Sequence, residues 1–145
     1  MADIHPQLIS DCVYLGRFTL CHLLLSNDSN YPWFILVPDR DGVREIYQLS
    51  DSDKSLLMAE SCAFSAFLDR HYSPDKLNVA ALGNQVPQLH LHHIARFKND
   101  PAWPTPIWGK VPVVPYGGEE LESLRKNIDS ANLDAFTPAD EFPQI

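Results

Sequence analysis

"VPQLHLHHIARF", Val86 to Phe97, sets three histidines and an arginine among mostly apolar neighbours. Read as a strand over 88–97, its alternate side chains share a face. Gln88, His90 and His92 then line one side, with successive positions about 6.6–6.8 Å apart. His93 points to the other side with Leu89 and Leu91. This divergence argues against a metal held by His90, His92 and His93 alone; a third ligand would have to come from elsewhere, His22 being one candidate. Histidine titrates near neutrality, so it serves as a nucleophile when neutral and as an anion clamp when protonated. The preceding turn, Gly83-Asn84-Gln85, offers backbone N–H groups, and a phosphate between them, His90 and His92 would make a coherent anionic site. The plainer alternative is a half-buried strand whose histidines are satisfied by their neighbours.

Working outward, "CVYL" (12–15), "LCHLLLS" (20–26) and "WFILVP" (33–38) are short apolar runs that read as strands, with "SNDSNYP" and "DRDG" as turns. From Asp51 the character changes. Ser50 or Asp51 can cap a helix over 51–72, which no proline or glycine interrupts. Leu57, Phe64, Phe67, Leu68 and His71 fall on one face of it, the face expected to pack on a sheet. "LNVAAL" (77–82) is a further strand, and 117–128 reads as a second, shorter helix after a glycine turn. Strands close together in sequence beside one main helix predict an antiparallel α+β domain of about five strands rather than repeated βαβ units. The core is expected in 1–100, with the Pro/Trp-rich segment, helix and tail of 101–145 completing the same single domain.

The 145 residues carry 45% hydrophobic and 21% charged side chains, a composition of a soluble globular chain. Nineteen acids against eleven bases give a net charge of −8. Such a surface repels a polyphosphate backbone, so no nucleic-acid partner is expected. The start, "MADIHPQLISD", lacks a basic stretch followed by an apolar one, and no run is long and apolar enough for a membrane helix, so a cytoplasmic location is expected. Cys12, Cys21 and Cys62 are odd in number and widely spaced, which suits free thiols better than a disulfide framework or a Cys-His zinc site.

With Gly83, Val86, His90 and His92 in place, "GNQVPQLHLHHIARF" resembles the signature strand of the histidine triad (HIT) family. Gly83 and Val86 match the lead-in, His90 falls on the family's nucleophile, and His92 on the last histidine. Gln88 occupies the position of the first histidine, as in bacterial HIT-like proteins with a Gln-first triad, which "NDPAWPTPIWG" also resembles. "LLLSNDSNYPWFILVP" is similar to the family's nucleotide-holding strand-turn-strand. The resemblance covers roughly residues 10–100. It implies a HIT-like fold, a homodimer, and a nucleotide hydrolase or nucleotidyl transferase acting at an α-phosphate of a dinucleoside polyphosphate or nucleoside phosphoramidate. It further implies attack by neutral His90, a nucleotidyl-histidine intermediate, a phosphate contact from His92, and charge stabilisation by the backbone around Asn84, Gln85 and Val86. Asn27 is the candidate for the ribose hydroxyls, or else a simple turn residue. Glutamine has no proton to give at pH 7, so Gln88 marks either altered chemistry or a nucleotide-binding module that has lost catalysis. No cofactor or metal is expected for the chemical step. Arg96 follows on the same ideal face, to meet a phosphate or solvent. Trp103 and Trp108 are expected to anchor the C-terminal segment or to close over the site.

Overall fold

A computed structural model describes residues 2–144. In chain order it contains α1 (Pro6–Asp11), β1 (Cys12–Arg17), β2 (Cys21–Ser26), β3 (Trp33–Pro38), a 3-10 turn (Ile46–Gln48), α2 (Asp51–Tyr72), β4 (Lys76–Ala81), β5 (Leu91–Arg96), α3 (Gly118–Ser130) and β6 (Thr137–Pro138). The strands form one sheet in the order β4-β5-β3-β2-β1-β6, antiparallel throughout.

The α+β antiparallel architecture is as the sequence predicts, with three corrections. The described residues form six strands rather than about five: residues 137–138 pair with Gly16 and Arg17 at the edge, a contact too short to leave a pattern. Among the described residues there are three α-helices rather than two, because the six-residue α1 begins at Pro6 and the His5 imidazole accepts from Gln7 N–H, a short helix set by proline and a cap. The strand expected over 88–97 is also shorter. Leu89 N–H bonds to Val43 O, in a loop, so ladder pairing starts only at Leu91.

Each face of the sheet is covered differently. On one, Phe34, Leu36, Leu23 and Leu91 pack against Leu57, Phe64, Phe67 and Leu68 of α2, and against Leu124 and Ile128 of α3. Ser50 caps α2 by accepting from Asp53 N–H, with acids in the first turn and Arg70 and His71 in the last, as the helix dipole favours. His71 departs from the expected apolar face. It stacks on Phe67 but stays exposed. The buried polar positions of that face are Glu60 and Ser61. Glu60 accepts from Leu20 and Cys21 N–H, satisfying the start of β2.

The other face carries Tyr14, Leu24, Ile35 and Val37, and is covered by irregular chain. Ile4 and Leu8 of the N-terminal arm lie on it, as does the 101–116 segment through Ala102, Ile107 and Trp108. The tail docks through aromatics, Phe142 against Tyr14 on this face and Phe136 against Phe18 in the helix-side core. Among the described residues, no helix is long and apolar enough to cross a membrane.

Candidate active site

The histidines of β5 divide as strand alternation requires. His92 is paired with Ile35 and Ala80, His93 with Phe34 and Val79. His93 turns to the helical face. Its Nδ1–H donates to Leu91 O at 3.1 Å, so its Nε2 accepts from the Ser61 hydroxyl at 2.7 Å. Burial pushes its pKa down to about 4, and it is a neutral core histidine.

His90 and His92 meet on the opposite face, ring centroids 4.8 Å apart. His90 Nδ1 lies 2.7 Å from the main-chain carbonyl of Gln88. A carbonyl can only accept, so Nδ1 carries the proton and Nε2 keeps its lone pair. Burial, the larger influence, lowers the His90 pKa from the ordinary 6.5; the Gln88 carbonyl opposes this and nearby His5 adds to it. His92 is fixed in the other tautomer. The Trp33 indole N–H donates to its Nδ1 at 3.0 Å, leaving the proton on Nε2, 3.4 Å from Leu82 O. Burial, with His90 acting in the same direction, pushes its pKa down to about 4. At neutral pH the pair therefore presents one lone pair and one N–H, both uncharged.

The two rings line a cleft of about 380 Å³. Leu82, Gly83, Asn84, Gln85 and Val86 form one wall, and Leu8 and Asp11 of α1 with Ser26 form another; Trp33, Trp108 and Gly109 close it. Among the described residues, the N–H groups of Asn84, Gln85 and Val86 find no acceptor within the protein. Gly83 has a steric reason: a Cβ there would lie 2.7 Å from Val86 O and 3.9 Å from His90 Cε1. The turn's tight return onto Val86 O therefore needs glycine, whereas the distance to the imidazole is ordinary contact.

Of the residues singled out in the sequence, His90, His92, Asn84, Gln85 and Val86 come together on this cleft. Gln88 contributes its main-chain carbonyl to the His90 imidazole, but its side chain turns away to the N-terminal arm, accepting from His5 N–H at 2.8 Å and donating to Asp3 O at 3.0 Å. Asn27 does not line the cleft. Its Oδ1 accepts from Tyr116 N–H, and it ties the approach to α3. Arg96 meets neither phosphate nor solvent. It is 2% exposed, bonded twice to Asp100 and once to Asn78, and its guanidinium lies between the rings of Tyr31 and Trp103. Trp108 reaches the site, 5.1 Å from the His92 ring centroid. His22 faces Tyr14 and Asp39, not His92, and among the described residues no three His, Cys, Asp or Glu side chains gather as a metal site would require.

Two groups on the cleft escaped the sequence reading. Trp33 looked like the start of a buried strand, since its role depends on the β3–β5 register, which no local pattern shows. Asp11 and Ser26 belong to a wall that exists only because α1 folds back over β1 and β2.

The HIT domain model matches residues 8–99. Among solved structures, the chain is similar to a histidine triad protein of Marinobacter aquaeolei, with 47% identity over 90% of this chain and 97% of that one and a TM-score of 0.87. Histidine triad proteins of Bradyrhizobium japonicum and Sinorhizobium meliloti are 38% and 37% identical, each over 88% of this chain and over 96% and 95% of theirs, with TM-scores of 0.86. No curated protein matches the sequence. A domain match that starts in α1 and runs just past the His90–His92 strand, on a sheet superposable with these bacterial proteins, settles the kinship: this chain belongs to the histidine triad (HIT) domain family.

Proposed function

We propose that the protein is a nucleotide hydrolase or nucleotidyl transferase that works at an α-phosphate through a covalent His90 intermediate. The observation that carries this reading is the 2.7 Å bond from His90 Nδ1–H to the Gln88 carbonyl, which leaves Nε2 unprotonated on the cleft. In the first step Nε2 donates its pair to phosphorus, and the bond from phosphorus to the leaving oxygen or nitrogen breaks. The leaving atom keeps that pair and takes a proton from water. The positive charge now on the ring is stabilised through Nδ1–H and the Gln88 carbonyl. In the second step water attacks phosphorus and gives a proton to the hydroxide left in solvent by the first step, the P–N bond breaks, and its pair returns to Nε2. His92, neutral with its proton on Nε2, donates to a non-bridging oxygen rather than acting as an acid. The free N–H groups of Asn84, Gln85 and Val86 stabilise charge on the five-coordinate centre. The Asp11 carboxylate and Ser26 hydroxyl offer acceptors for the sugar, and Trp33 and Trp108 supply apolar walls.

The β4 edge of the sheet, with Val79 and Leu82 exposed, is the surface on which a second copy would pair to give a homodimer.

The test is mass spectrometry of quenched protein after brief exposure to an adenosine phosphoramidate, beside His90→Ala. An adenylyl adduct in the wild type that is absent from the variant is the expected result. No adduct and no turnover, with AMP still protecting the fold against heat, would replace this reading with a non-catalytic nucleotide-binding module.

A further inference from the structure

Gln88 touches the site with one end and the N-terminal arm with the other. Its main-chain carbonyl holds His90 Nδ1–H. Its side-chain amide makes two hydrogen bonds across more than eighty residues of sequence, to His5 N–H at 2.8 Å and to Asp3 O at 3.0 Å. Both partners are backbone groups of one short segment, so the amide pairs with the arm much as a neighbouring strand would. Immediately downstream, His5 caps α1 by accepting from Gln7 N–H, and Leu8 and Ile9 N–H bond to His5 O. The residue that starts α1 is thus the residue Gln88 grips. Gln7, Leu8 and Asp11 of α1 then form a wall of the cleft, and Ile4 and Leu8 are buried against the sheet.

We propose that Gln88 is a positioning residue that latches the N-terminal arm, and with it the α1 wall of the cleft, to the segment that orients the nucleophile. Its amide takes no part in proton transfer. An imidazole at 88 could not reproduce the latch: a neutral ring has one donor and one acceptor, but on diverging nitrogens of a shorter side chain rather than side by side at the end of a terminal amide. Glutamine in this position exchanges acid–base capacity for control of the nucleotide-facing wall. The proposal adopts the cleft of the function above as the binding site, but the latch itself can be read without any turnover.

The decisive comparison uses Gln88→Met, which keeps the length and bulk of the side chain but makes neither bond, together with Gln88→His. Hydrogen exchange is measured at His5, Gln7, Leu8 and Ile9 in the unliganded full chain, with Phe64 and Leu68 of α2 as internal controls. In both variants the arm amides should exchange about fivefold faster or more, as expected for the loss of two partly exposed hydrogen bonds, while the α2 amides are unchanged. In turnover of the phosphoramidate, KM should rise several-fold with kcat within about twofold. Unchanged exchange in the arm overturns the latch, and a fall in kcat at constant KM overturns it in favour of a chemical role for the amide. If the wild type neither turns over nor forms the His90 adduct, the functional reading fails, and the arm exchange still decides the latch.

Discussion

Trp33 determines what His92 can do. An N–H aimed at the Nδ1 lone pair stabilises the neutral ring and fixes its proton on Nε2. Trp33→Phe should therefore raise the His92 pKa from about 4 toward 6.5, measurable by NMR titration, and slow turnover by about fivefold, the worth of roughly one neutral hydrogen bond. Retention of the low value would show that burial and neighbouring His90 set it without the indole. The same logic fixes the pH profile. His90 must be neutral to attack, and its pKa lies below 6.5. Activity should accordingly be level through neutrality and fall only on the acid side of 6.5; an acid limb centred above that value contradicts the assignment. Stability follows with the same sign. His92 and His93 bind protons near pH 4 when folded but near 6.5 when unfolded. Between those values the unfolded chain holds more protons, so stability falls as pH drops, by on the order of 3 kcal/mol per histidine at the acid end. At this scale, period-two alternation was enough to separate His93 from His90 and His92. Which nitrogen bears each proton was not legible, because the Gln88 carbonyl and Trp33 indole are partners of geometry rather than of spacing.

Between elements, the joint of α2 and β5 rests on Ser61. Removing its hydroxyl leaves His93 Nε2 buried with no donor. Ser61→Ala should cost about 1–3 kcal/mol and lower Tm by about 2–4 °C for each, without altering the His90–His92 cleft on the far face. A loss of activity greater than the loss of folded protein would place Ser61 in the mechanism instead. The other joint is at Gly16. There the β1–β2 register shifts, φ is +141°, and a Cβ would collide with Thr137 O and the Phe136 ring. Gly16→Ala should release β6 and the tail, seen as faster hydrogen exchange in 136–142. The α2 span, its Ser50 cap and β3 were all readable because helix and strand periods are strictly local. Glu60 was not: a carboxylate in the middle of a helix looks solvent-facing until the start of β2 is found beneath it. Arg96 misled for the same reason, since Tyr31, Asn78 and the Asp100–Trp103 turn converge on it from three separate stretches.

Across the whole molecule, the sheet leaves β4 as an edge strand with Val79 and Leu82 exposed. If a second copy pairs there, light scattering should give twice the mass of one chain, and Val79→Lys should return it to one; a wild type that already runs as one chain excludes the homodimer. The two faces also differ in kind. One carries α2 and α3 and most of the buried apolar side chains; the other, with His90 and His92, is roofed by an arm, a proline-rich segment and a tail. That division has an evolutionary consequence. Loops tolerate insertion and exchange far better than packed helices, and here the covering parts of the cleft beyond the phosphate, Trp108 and Gly109 of the proline-rich segment and the arm with α1, lie outside the sheet, while Ser26 and Trp33 stand at strand ends. Lineages could therefore re-tailor what the cleft accepts by trading roofs, while the helical side keeps the sheet folded and the two histidines in register.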